Sequence, residues 1–287
     1  MRISRRKIRQ LFVAFGIAAG VTVLAGTAHA GGGISVDAGL TPPEGRWIFR
    51  TQIRHMQRSD EMSEMGMYKF PFVLAYGVRS DFTLMVKQII TRRSMTMGGT
   101  TNTESGFDDF YALAKYKAYR RNTRSYTFGI APTLGLEMPT GSDEFSSNTW
   151  DLAAGLYFSW RSGVWAADLN TAYRWNSFTD RNKDGLVPGD VGHLDAAFSY
   201  QYSIGGSAFA SLFPVLELNY EDARAARLDG DDTANTGGVV FYVSPGLKYA
   251  TPSVILEALV RVPAAWEQNG SQPDPALGLL LGVRFLF

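Results

Sequence analysis

Beyond residue 30 the chain has two imidazoles, His55 and His193. A hydrolytic nucleophile needs such a base within hydrogen-bond reach of a serine. Certain lipid hydrolases place that serine two residues after the histidine, but here those positions hold Gln57 and Asp195. No cysteine is present, which excludes thiolate nucleophiles, disulfides and thiolate metal sites. The chain is therefore expected not to be an enzyme and to need no cofactor. The run Asp180-Arg181-Asn182-Lys183-Asp184-Gly185 has the alternating oxygens and turn glycine of half a calcium loop. Its twelfth position is Val191 instead of glutamate, so an exposed polar turn is the preferred reading. Asp180, Asn182 and Asp184 remain a weak metal candidate.

A larger set of charged residues shares one face of an alternating pattern. Arg50, Arg54, Lys69, Lys87, Lys115, Glu137, Asp168, Arg174, Glu217, Lys248, Glu257 and Arg261 stand opposite the apolar positions. Both signs occur. They either pair and fill a narrow interior or line a wet path.

The elements that must position them are strands. From Arg46 onward the period is two, as in Trp47, Phe49, Thr51, Ile53 or in Leu277, Leu279, Leu281, Val283, Phe285, Phe287. Twelve such stretches are predicted, each about 10–14 residues, which suits tilted membrane strands. Connectors alternate between short turns (Arg79 to Asp81, Arg120 to Ser125, Arg161 to Gly163, Gly205-Gly206, Thr251-Pro252) and long polar segments. The long ones are Gln57 to Gly66, Arg92 to Gly106, Thr140 to Thr149, Thr179 to Val191, Glu221 to Thr236 and Ala265 to Pro275. That parity is expected of an even-stranded barrel with both termini at one rim. Aromatic residues cluster at both ends of the strands, Tyr220 and Phe241 among those at the long-loop rim, as two interfacial girdles would require.

Residues 1–30 read as a secretory signal peptide: Arg2, Arg5, Arg6, Lys7 and Arg9, an apolar run from Leu11 to Ala25, then Ala28-His29-Ala30. Cleavage is expected between Ala30 and Gly31. Residues 31–287 then form the barrel, with 23 basic and 27 acidic residues and a formal charge of −4. The near balance removes a whole-chain argument for nucleic acid. A charged fraction of 19%, 30 glycines, 13% aromatics and a mean hydropathy of −0.09 fit an all-β transmembrane antiparallel up-and-down barrel. The ending on Phe285 and Phe287 looks like the strand signal read by the barrel assembly machinery. Only Gly31 to Gly45 precede the first strand, so any constriction is expected from loops or lumen side chains. Inward glycines and alanines, Gly129, Gly135 and Gly282 among them, are expected to leave room for solute or to ease curvature.

Several stretches resemble the outer-membrane transporter family associated with the meta-pathway of phenol degradation. They are Phe107-Asp108-Asp109-Phe110 to Lys115-Tyr116-Lys117, Ile130-Ala131-Pro132 to Leu136-Glu137-Met138-Pro139-Thr140-Gly141, Ser244-Pro245-Gly246-Leu247-Lys248-Tyr249, and Leu281-Gly282-Val283-Arg284-Phe285. The resemblance implies an outer-membrane barrel passing small molecules, aromatic or hydrophobic ones included. The expected partners are outer-membrane lipid, the assembly machinery and a small solute. The alternative is a structural or surface-binding barrel with a closed lumen, whose extracellular loops carry the function.

Overall fold

The computed structural model describes residues 32–60, 63–176, 185–204 and 210–287. Ala30, Gly31, Asp180, Asn182 and Asp184 lie outside them. Twelve antiparallel strands build one sheet: β1 (Trp47–Ser59), β2 (Ser63–Arg79), β3 (Phe82–Met97), β4 in three consecutive pieces (Thr100–Phe107, Phe110–Tyr116, Tyr119–Asn122), β5 (Thr127–Met138), β6 (Asp151–Ser162), β7 (Trp165–Trp175), β8 (Val191–Tyr200, continued by Tyr202–Ser203), β9 (Ser211–Ala223), β10 (Gly238–Ala250), β11 (Val254–Gln268) and β12 (Gly278–Leu286, led in by Asp274–Pro275). Each pairs with its sequence neighbours, and β1 also pairs with β12 from Ile48↔Leu286 to His55↔Leu279. The sheet closes on itself and leaves no free edge, so its backbone groups are satisfied internally. At the seam Trp47 N donates to Phe287 O at 2.7 Å, and Phe287 N donates back to Trp47 O at 3.1 Å.

The alternation turns the usual burial pattern inside out. Leu134 is 56% exposed and Leu247 46%, while Glu217 is 0% and Lys248 2% exposed. Outward residues are apolar, and charged residues face the interior. Trp47 packs on Tyr76 at 4.3 Å and Trp165 on Tyr200 at 4.9 Å at the rim that carries the chain ends and short turns. At the other rim Tyr68, Trp150 and Trp175 are exposed. Tyr220 and Phe241 pair with each other near that rim and are buried with Ala196, Leu218, Val239 and Ala265.

Two expected long loops are paired strand instead. β2 and β3 run 17 and 16 residues, more than the 9–11 that cross a bilayer. β3 turns into β4 through Gly98-Gly99 alone, with φ of 57° and 82°, the conformation of a two-residue hairpin. The Gln57 to Gly66 stretch likewise pairs through Ser59↔Glu64. The remaining long connections fold onto one another. Asp109, at a break in β4, accepts from Gly141 N, Ser147 N and the Ser146 and Ser147 hydroxyls. A separate small sheet, Leu186–Val187, Arg227–Leu228 and Asp231–Asp232, ties the β7–β8 connection to the β9–β10 connection.

Candidate functional site: a lumen crossed by the N-terminal segment

Residues 32–44 do not lie outside the barrel. They bond to β1, β4, β6, β7, β9 and β10, which only a segment crossing the lumen can do. Glu217 accepts from the Ile34 N–H, the Ser35 N–H (2.9 Å) and the Ser35 hydroxyl. Asp168 accepts from Gly33 N at 3.1 Å and from Arg161 Nη2 at 2.8 Å. The Ser159 hydroxyl donates to Asp168 and accepts from Gly39 N at 2.8 Å. Lys115 Nζ donates to Ala38 O and Asn170 Nδ2 to Asp37 O, each at 2.8 Å, and Lys248 Nζ donates to Gly32 O. Bonds to charged groups contribute about 1.5–3 kcal/mol each and neutral ones about 1, so the segment is held firmly.

The constriction is therefore the short N-terminal segment, not loops or wall side chains alone. Its apolar anchor, Ile34, is fully buried among Phe213, Val215, Ala250, Ile255, Leu259 and Leu280. Around this seat β11 carries apolar side chains on both faces, because Leu256 and Val260 point out while Ile255 and Leu259 point in. An uninterrupted apolar run signals a strand covered on both sides. Val254-Ile255-Leu256 and Ala258-Leu259-Val260 are two such runs, parted only by Glu257, and they are the sequence feature that marked the seat. Two inward glycines serve the same segment. A Cβ on Gly129 would stand 2.8 Å from Leu40 Cδ2, and one on Gly246 2.7 Å from Ile34 Cδ1. Gly135 instead makes room for the Tyr111 ring.

On the long-loop side of this segment lies a cavity of about 350 Å³. Ser35, Val36 and Asp37 form its floor. One wall, from β2, β3 and β4, is apolar: Pro71, Val73, Met85, Ile89 and Leu113. Arg50, Arg54, Lys87 and Arg174 contribute cationic groups, and Glu137 and Asp195 carboxylates. Tyr111, Tyr157 and Tyr173 add rings.

The family described as MetA-pathway of phenol degradation matches this chain over residues 65–283. The chain belongs to that family. No curated protein matches it in sequence. Among solved structures it is similar to an outer membrane channel from Pseudomonas putida F1, with a TM-score of 0.67 and 17% identity over 88% of this chain and 100% of that one. It is more distantly similar to the β domain of the Bordetella autotransporter BrkA, with a TM-score of 0.48 and 13% identity over 86% of this chain and 100% of that one.

In this member of the phenol-degradation family the charged residues singled out from sequence fall into three groups. Lys115, Asp168, Glu217 and Lys248 hold the inserted segment. Arg50, Arg54, Lys87, Glu137 and Arg174 line the cavity. The rest are tied into the wall: Glu257 accepts from Arg284 at 2.6 Å and from Arg50 at 3.2 Å, Lys69 pairs with Asp108 at 2.8 Å, and Arg261 lies 3.9 Å from the Tyr242 ring centre. Arg161 and Arg284, which sequence reading did not single out, each answer a carboxylate in these groups. Asp190 bonds the Tyr173 hydroxyl at 2.8 Å and Asn176 N at 3.2 Å. Among the described residues no cluster of three or more metal-ligating side chains forms.

Proposed function

We propose that the chain is an outer-membrane channel for small molecules, closed at rest by residues 32–44. The long-loop rim faces outward and the termini face the periplasm, after export on a Sec-type signal. The observation that carries this reading is a cavity lined by both charges and apolar side chains that ends on a non-covalently held segment. A purely structural barrel has no use for such a chamber. The Pseudomonas putida F1 relative is an outer membrane channel, which supports the same reading and supports transport without chemistry. The inserted segment is also the specific observation favouring the second reading, a permanently closed barrel with functional loops.

Single-channel recording separates the two. The intact chain is expected to conduct rarely or not at all in planar bilayers. A variant lacking residues 33–43 is expected to conduct steadily, because Lys115, Asp168 and Glu217 lose their backbone partners and hydrate beside the opened path. Failure of the correctly folded variant to conduct would overturn the channel reading and leave the closed barrel.

A further inference from the structure

We propose that the cavity binds a small aromatic carboxylate, its anionic group between Arg54 and Lys87 and its ring on the β2–β4 wall. The inference rests on the channel reading and adds the chemical class of solute.

Ion pairing around Arg54 and Lys87 points to an anion. Arg174 is answered by Glu137 at 3.2 Å and Arg50 by Glu257 at 3.2 Å. Asp195 accepts from Asn219 Nδ2 at 3.0 Å. Arg54 has only a neutral partner: its Nε and Nη2 donate to Gln52 Oε1 at 2.8 and 2.6 Å. Lys87 Nζ lies 4.5 Å from the Tyr111 ring centre. Among the described residues, neither Arg54 nor Lys87 has a carboxylate within ion-pairing distance. Both are half-buried, where an unanswered charge is costly and an entering anion relieves the cost. The guanidinium fork suits a planar carboxylate, and the ammonium adds a second point charge.

The wall beside them selects the rest of the solute. Val73 pairs in register with Lys87, and Lys87 in turn with Tyr111, so the cation lies in the same band of wall as the apolar side chains. Pro71, Val73, Met85, Ile89 and Leu113 offer a surface with no hydrogen-bonding side chain. An inorganic anion or a short polar acid leaves that surface wet, whereas a flat ring covers it and meets Tyr111. The volume lies in the range of about 300–1,000 Å³ typical of small-molecule sites. Two opposing charges face the same cavity: Asp195, held by the neutral Asn219 amide, and Asp37 on the floor. The Asp37 carbonyl is fixed by Asn170, and its carboxylate makes no ion pair among the described residues.

The test is calorimetric titration of the full chain, refolded in detergent and checked for heat-modifiable migration. Benzoate, its neutral analogue benzamide, and acetate are the probes. Benzoate is expected to bind saturably, with benzamide and acetate each at least tenfold weaker. The double variant Arg54→Gln, Lys87→Met is expected to lower benzoate affinity at least tenfold while leaving benzamide unchanged. Asp37→Asn is expected to raise it. Benzoate binding no tighter than benzamide, or unaffected by the double variant, overturns the site. Glycerol flux through liposomes carrying the variant without residues 33–43 is measured alongside. Flux without benzoate preference removes the site and keeps the channel, while benzoate binding through Arg54 and Lys87 without flux keeps the site and removes the channel.

Discussion

Glu217 has no contact with solvent and answers three donors from one bend of the inserted segment. Glu217→Gln keeps the shape but replaces carboxylate bonds by weaker amide ones and places an NH2 against an N–H donor. It is expected to raise channel open probability at least tenfold in single-channel records, with unchanged thermal unfolding of the barrel. An unchanged open probability would show that the segment is held elsewhere. Residue parity was legible in the sequence: Glu217, Lys248 and Asp168 were placed inside by alternation alone, and all three are buried. Their partners were not legible. Alternation relates a residue to its neighbours on the sheet, whereas Glu217 meets Ile34, 183 positions away, in a stretch with no period of its own.

The inserted segment and the strands obey different physics, which is why one was foreseen and the other was not. Strands repeat, so twelve of them could be read directly. Residues 32–44 gain their conformation only from what surrounds them. Ile34→Ala is expected to weaken docking by about 2–5 kcal/mol, as for other buried aliphatic truncations. The measurement is protease access to the segment in the folded protein, which should rise while heat-modifiable migration stays the same. The Arg92 to Gly106 stretch failed in the opposite direction. Above the apolar band β3 and β4 are polar apart from Met95 and Met97, so the period fades while the hydrogen-bond ladder continues to Met97↔Thr100. Because the chain has no cysteine, single substitutions map this hairpin cleanly. A membrane-impermeant maleimide is expected to label Thr100→Cys in intact cells and to miss Asn122→Cys. Labelling of both from outside would overturn the proposed orientation.

At the scale of the whole molecule, closure depends on one seam. Phe285 lies against Phe49, with ring centres 6.3 Å apart, and Phe287 exchanges two backbone bonds with Trp47 while its ring is 58% exposed. Deleting Phe287 removes an interfacial anchor and both bonds but touches no lumen residue. The amount of assembled, heat-modifiable protein in the outer membrane is expected to fall severalfold, and the fraction that does assemble should keep the conductance of the parent. Normal assembly would show that the end of β12 is dispensable.

The hydrogen bonds that bridge the lumen also fix an order of events. Gly32 and Ile34 precede every strand of the barrel, yet they bond to Lys248 and Glu217 on β10 and β9, 216 and 183 positions later. Contacts of such separation form late, after the entropy of closing long loops has been met by other pairings. The segment cannot reach its seat before those two strands stand beside each other, so a stretch that lies ahead of β1 in the chain is among the last to become native. A newly closed barrel is therefore open for a moment, and every molecule of this protein passes once through its own unsealed state.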